Sequence, residues 1–281
     1  MEGVILITGA SGRIGRRAAE LLAQDAQHLR LMTRNPERAP KLPGADIVRG
    51  DFAEPGTLDQ AFAGIRTALV ISGSGKPGER ALLHRNAFQA AARAAVGHVV
   101  YLSLEGAAPD SRYFYSRDHY LSEQFLADTG LPFTVLRNAF YLDMFLEKLD
   151  SHGIIRGPAK QGLGAFVSRE DAARTAAAVV RNPVAGIFDV TGPEALSVAE
   201  VARRLSVLTG RELRYREGDA GPDELSSGWY EAIAAGELAR VTDTVSRFTG
   251  KPPLRLEEYF KHFPRLLEKL FPIPPANTTE S

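Results

Sequence analysis

Short runs of aliphatic and β-branched residues recur through the first half of the chain, separated by segments with a helical period. Val4 to Thr8 is a short run rich in β-branched residues and predicts a strand; a glycine-rich turn follows, then a 3.6-residue pattern as far as Leu22. The same alternation predicts strands at His28–Thr33, Asp46–Arg49, Thr67–Ser72, His98–Ser103 and Phe133–Arg137. Helices are expected at Pro55–Phe62, over 78–95, and from the segment around Tyr115 to near Gly130. Strands that are apolar on both faces belong to a parallel sheet covered by helices on each side and joined by right-handed crossovers. The fold class is therefore α/β, a Rossmann-type doubly wound parallel sheet, spanning residues 1–137, with residues 165–192 returning to it.

After Arg137 the rhythm breaks. Residues 138–150 are aromatic and apolar, and the stretch to Gly164 is rich in glycine. Helices are expected at Ser168–Arg181 and from the capping box Ser197-Val-Ala-Glu200 to Leu208, with a strand at Gly186–Thr191. Residues 138–281 read mainly as a smaller, mostly helical substrate region. GPDELSSG, residues 221–228, reads as a mobile connection able to act as a lid beside Trp229, and residues 272–281 as a disordered tail.

Composition narrows the function classes. Lys+Arg and Asp+Glu number 34 each, so no bulk field favours nucleic acid or an anionic membrane. The absence of cysteine excludes disulfides, thiolate metal sites and cysteine nucleophiles, and fits a reducing compartment. MEGVILITGASG has no basic leader and too short an apolar run for a signal peptide or membrane span, so a cytoplasmic location is expected. The six histidines show no metal-ligand spacing.

Gly9-Ala10-Ser11-Gly12-Arg13-Ile14-Gly15 joins the first strand to the first helix. Its glycines permit a tight turn, close backbone approach to a pyrophosphate and close helix-on-sheet packing, while the helix start supplies amides and a positive dipole end. The second strand ends Met32-Thr33-Arg34-Asn35-Pro36, with no carboxylate to grip a ribose diol. Arg34, helped by Arg13 or Arg38, suits a 2′-phosphate, which favours NADP(H) over NAD(H). Asp51 and Phe52, after the third strand, are expected beside the adenine. Tyr115 and His119 lie four apart, on one face of the predicted helix, within reach of one ligand. Phe140, Tyr141, Met144 and Trp229 can line an apolar pocket for a flat acceptor, or form core.

TGASGRIG, TRNPER, RGDF and HRNAFQAA, continuing through VVYLSL, DHYLSEQFLADTGLPFTVLRNAFYLDM, FVSREDAARTAAAVV and GIFDVTGPEALSVAEVA, resemble the atypical short-chain dehydrogenase/reductases. Within them the match is to the NmrA-like group, which includes NAD(P)H:quinone reductases and triphenylmethane dye reductases. The resemblance implies that Ser72, Gly73 and Ser74 run along the cofactor's ribose and nicotinamide side. It implies that Ser103 orients a substrate oxygen, that Asn138 lies near the nicotinamide or the substrate, and that Tyr141 lines the pocket. Tyr115 and His119 then occupy the places of the superfamily's YxxxK pair, with histidine where lysine is usual, and Ala139-Phe140 replaces the glycine and tryptophan of the quinone reductases.

The missing lysine bears on direction. Alcohol oxidation needs a phenolate base that a neighbouring cation stabilises, whereas reducing an electron-poor acceptor does not. The reading is an NADPH-dependent reductase transferring hydride to a quinone-like or other conjugated small molecule. Two alternatives stay open: an NADP(H)-binding regulator acting on a protein partner, and an isomerase or dehydratase of small intermediates. A homodimer is compatible with either enzyme reading.

Overall fold

The computed structural model describes residues 3–25, 28–73, 75–220 and 224–268; the expectations for Ser74, residues 221–223 and the tail lie outside them. The first half runs β1 (Val4–Ile7), α1 (Arg13–Ala23), β2 (Leu29–Thr33), β3 (Ala45–Arg49), α2 (Leu58–Phe62), β4 (Ile65–Ile71), α3 (Glu79–Arg93), β5 (His98–Leu104), α4 (Phe114–Ala127) and β6 (Phe133–Asn138). The second half adds α5 (Met144–Glu147), β7 (Ile154–Gly157), β8 (Leu163–Gly164), α6 (Arg169–Arg181), β9 (Gly186–Val190), β10 (Leu196–Ser197), α7 (Val198–Thr209), β11 (Arg214–Glu217), α8 (Glu224–Ala234), α9 (Thr244–Thr249), α10 (Leu256–His262) and α11 (Arg265–Glu268).

Seven strands form one parallel sheet in the order β3-β2-β1-β4-β5-β6-β9. Alternation along each strand feeds two cores. Ile5 and Ile7 of β1 face the alanine-rich α6 and Ala18, Ala19 and Leu22 of α1, while Leu6 faces Phe62 of α2 and Phe88 of α3. Alanines 172, 173, 176 and 177 are fully buried, which lets α6 lie close to α1. Strand order reverses between β1 and β4, so a crevice opens at their carboxyl ends.

A third apolar cluster forms from the C-terminal region, around Phe145, Phe166, Trp229, Tyr230 and Phe260. This region carries two small ladders that the hydrophobic pattern did not reveal: β8 with β10, antiparallel, and β7 with β11, parallel. Two to four residues per strand are too few to show a period. The lid reading of 221–228 is corrected from Glu224 onward, where the chain is helical and buries Trp229 and Ile233, one turn apart. The capping box at Ser197 forms by half. Ser197 Oγ accepts from the Glu200 amide at 3.1 Å, while the Glu200 carboxylate turns to Arg203 and Arg204. Among the described residues no helix is long and apolar enough to cross a membrane.

Candidate functional site

At the switch point, β1 and β4 are tied together beyond their last paired residues. Thr8 donates its amide to Leu69 O at 3.0 Å and accepts the Ile71 amide on Oγ1 at 2.9 Å. The turn that follows is held from both sides. Gly9 has φ +59°, Gly12 donates to Gly9 O, Ala10 donates to Met32 O, and Ser11 Oγ meets Thr33 Oγ1 at 3.0 Å. Gly15 sits so close beneath the turn that a Cβ there would stand 2.4 Å from Gly9 O. Helix α1 therefore starts directly under the turn, with no side chain capping it and no acidic residue in its first turn.

Gly9, Ser11, Gly12, Thr33, Arg34, Asp51, Phe52, Ser72 and Gly73 line one cavity of about 340 Å³. Arg34 is exposed at its rim and makes no ion pair or hydrogen bond among the described residues. Arg16, one turn into α1, donates to Arg38 O at 2.9 Å and so brings a second guanidinium to the same loop. Uncapped helix amides, a glycine cradle and an unpaired arginine at the tip of β2 make a donor set for phosphates. The dinucleotide fits these residues.

Arg13 points elsewhere. Its Nη1 donates to Asp143 at 2.5 Å, and Asp143, with 1% of its side chain exposed, also receives Arg169 Nε at 2.8 Å. A carboxylate that deep requires compensation, and two guanidiniums supply it. This removes Arg13 from the tip of β2 and ties the start of α1 to the chain after β6. The acids of the next helix serve similar ties: Glu170 pairs with Arg17, and Asp171 with Arg174 and the Leu254 amide.

The far end of the cleft is a side-chain network. His119 is 2% exposed, its Nδ1 2.8 Å from Tyr101 Oη and its Nε2 3.4 Å from Arg80 Nη1. His84 is fully buried; its Nε2 accepts the Gly73 amide at 3.2 Å, and its Nδ1 faces Ser122 Oγ and Tyr101 Oη at 2.9 and 3.0 Å. Burial, reinforced by the Arg80 charge, pushes His84 down to about 3. Burial, with His84 and Arg80 added, holds His119 well below its ordinary range. Burial likewise moves the Tyr101 phenol upward. The imidazoles are neutral, and Arg80 is the charged member of the group.

Tyr115 is half-buried; its hydroxyl donates to Gly75 O at 3.2 Å, and the Arg80 guanidinium lies 3.9 Å from its ring centroid. Asp118 accepts the Gly78 amide on both oxygens, at 3.0 and 3.1 Å. The segment after β4 is thus fastened to α4 at two points. Ser103 donates to Glu123 at 2.6 Å, and Arg137 pairs with the same carboxylate, so that hydroxyl lies inside the sheet–α4 interface. Asn138 Nδ2 donates to Tyr141 Oη at 3.2 Å, while its buried Oδ1 has no partner among the described residues. Arg169 lies 4.2 Å over the Tyr141 ring. Phe140 and Trp229 are buried, their centroids 5.2 Å apart, and Met144 is half-buried at the edge of that cluster. The aromatic residues thus form core, with Tyr141 and Met144 at its margin.

Sequence reasoning missed Arg80, His84 and Tyr101. A signal existed for the first two: Arg80 and His84 lie four apart on an alanine-rich helix, the same spacing as Tyr115 and His119 on α4.

Known proteins resemble this chain over most of its length. A model of NAD(P)H-binding proteins matches residues 9–183. Quinone oxidoreductase 2 of Escherichia coli is 30% identical over 284 residues, covering 92% of this chain and 98% of that protein. The crystal structure of an NADPH-dependent quinone oxidoreductase from E. coli, complexed with NADPH, matches with a TM-score of 0.83 at 28% identity, covering 92% and 99% of the two chains. The triphenylmethane reductase of Citrobacter sp., complexed with NADP(H), gives 0.80 at 26% identity, with 92% and 99% covered. With the glycine cradle, the switch-point crevice and these matches together, this chain belongs to the NAD(P)H-binding family, in its NmrA-like group of atypical short-chain dehydrogenase/reductases.

Proposed function

We propose that this chain is an NADPH-dependent reductase passing hydride to quinone-like or other conjugated small molecules. The observation that carries the reading is the phosphate cradle at Gly9–Gly15 opening beside an unpaired Arg34, with no carboxylate at the tip of β2. When bound, NADPH supplies the hydride; the chain's residues bind, orient and shield. Amides at the start of α1 hold the pyrophosphate, Arg34 with Arg16 reads the 2′-phosphate, and Phe52 covers the adenine. Asn138 offers its Oδ1, which has no partner among the described residues, as an acceptor near the nicotinamide.

Where alcohol dehydrogenation needs a free base, the groups present are already engaged, the Tyr115 hydroxyl in its bond to Gly75 O. Ser103 is bonded to Glu123, Leu104 at the end of β5 packs against the C-terminal cluster, and His119 is neutral. An electron-poor acceptor needs position more than acid–base help, because its reduced form holds the charge until water protonates it. The test is steady oxidation of NADPH by the purified protein across a panel of benzoquinones and naphthoquinones. Turnover that depends on both substrates is expected. Tight NADPH binding with no turnover on any quinone would overturn the reductase reading and leave a regulator.

A further inference from the structure

We propose that Arg80 is the fixed cation of the hydride-accepting site, matching it to neutral carbonyl acceptors whose reduction leaves an oxyanion and against acceptors that are themselves cations. This rests on the reductase reading above and names the acceptor class of the same site.

Position comes first. Leu83 of α3 lines the dinucleotide cavity together with Ser72 and Gly73, and Arg80 lies one turn earlier on the same helix face. Gly75, two residues beyond Gly73, rests against Leu83 and the Arg80 backbone, and Tyr115 donates to its carbonyl. The Arg80 guanidinium, stacked on Tyr115 and bonded to His119, thus belongs to a residue one helical turn from Leu83 in the cavity wall.

Those two residues stand where this superfamily keeps a tyrosine and a lysine. The ring at 119 is neutral, and the positive charge arrives from a different helix, 39 positions away in sequence. The contacts leave the guanidinium unsatisfied. Its bond to His119 is long at 3.4 Å, and its Nε is buried with no partner among the described residues. A guanidinium stacked on a ring keeps its charge, so it acts on a developing oxyanion through its field rather than through that buried donor.

Charge balance then selects the acceptor. Hydride addition to a neutral quinone forms one new bond, moves a π pair onto oxygen and gives the hydroquinone monoanion; one proton from water completes the hydroquinone. A fixed cation stabilises the negative charge as it develops. A triphenylmethane cation takes hydride at its central carbon and becomes neutral with no proton taken up. The same arginine repels that acceptor before reaction and gains nothing after it.

The experiment compares the parent with Arg80→Gln and Arg80→Lys. Arg80→Gln is expected to lower kcat/KM for benzoquinone about 10- to 100-fold, the scale of losing one oxyanion donor. It should change the NADPH dissociation constant less than about threefold, and raise the ratio of cationic-dye to quinone turnover at least about tenfold. A second readout needs no turnover: 4-nitrophenol bound to the NADP⁺ complex, titrated by its absorbance, should ionise about one unit lower than when free. That shift should vanish in Arg80→Gln and return at least in part in Arg80→Lys, which retains charge without the stacked plane. An unshifted or unbound nitrophenol in the parent, equal losses on both acceptor classes, or NADPH affinity lost in step with turnover would overturn the assignment. If the parent reduces no quinone, the reductase reading fails, and the nitrophenol shift still decides whether Arg80 is an anion-stabilising cation. Should Arg80→Gln fold poorly, Arg80→Lys is judged on its own: a nitrophenol shift no larger than in free solution counts against the proposal.

Discussion

Around Gly9–Gly15 the site presents backbone amides with no side chain capping them, and Arg34 stands exposed at the rim. Around His119 the opposite holds. Three elements, α3, β5 and α4, link Arg80, His84, Tyr101, His119 and Ser122 through a chain of contacts, and every imidazole nitrogen faces a protein group. One end of the crevice is made by backbone and waits for phosphate. The other is made by buried side chains, with neutral imidazoles beside one arginine and the Asp118 and Glu123 carboxylates within electrostatic reach. The difference teaches that binding and tuning are separate constructions here, so substitutions at the two ends should fail in different ways.

The largest effect is expected at the backbone end. Gly15→Val places a side chain against Gly9 O and Ala10 Cα, where only backbone can give way. It should weaken NADPH binding at least about 100-fold and destabilise the fold by about 1–3 kcal/mol. Fluorescence titration and thermal melting measure the two; near-parent NADPH affinity would show that the cradle is not the phosphate site.

At the buried end the leading effect is on stability against pH. The unfolded chain protonates its histidines near 6.5, whereas folded His84 stays neutral down to about 3. Below pH 6.5 the unfolded chain therefore binds more protons, and stability falls as the pH drops, at about 1.4 kcal/mol per unit for His84 alone. Urea melts between pH 6.5 and 4.5 should lose about 2 kcal/mol through this residue, and His84→Gln should remove that share of the slope. Glu105, its buried carboxylate without a hydrogen-bond partner among the described residues and pushed up to about 9, titrates the other way in parent and variant alike, so the difference cancels it. Identical slopes would mean that His84 is protonated in the folded protein.

Arg34→Asp returns to the open end and should leave stability unchanged. Loss of one charge-assisted contact predicts a shift of about 10- to 100-fold in the NADPH/NADH preference. An unchanged ratio would pass the role to Arg16 or Arg38. Smallest is Tyr115→Phe. It deletes one hydroxyl bond to Gly75 O and keeps the ring under Arg80, so about 0.5–1.5 kcal/mol of stability and less than about threefold in turnover should be lost. A collapse in turnover would make the phenol a proton donor after all.

What could be read from the residue order follows the same division. The phosphate turn is local: three glycines, a strand before and the start of a helix after lie within a dozen residues, and Arg34 directly follows the very next strand. The strands of the sheet announced themselves because burial on both faces leaves unbroken apolar runs. The network is not local. Arg80, Tyr101 and His119 come from α3, β5 and α4, and only the packing of those elements brings them together. Composition also misled: the glycine, proline and serines of GPDELSSG suggest a loop, yet from Glu224 the need to bury Trp229 winds the chain into a helix. Ser103 and Arg13 illustrate a third limit, since each was noticed for its chemistry while a buried carboxylate elsewhere had the stronger demand on it.

Trp229 is the chain's sole tryptophan, buried at 2% exposure between Phe140 and Phe145. That makes it a resident optical probe. Its emission belongs to one known place, where the C-terminal cluster meets the residues following β6, and the absorption band of a reduced nicotinamide overlaps it. Energy transfer from this indole to the bound dinucleotide therefore gives a label-free signal of loading. Its loss on oxidation lets one cuvette follow binding and turnover without a dye.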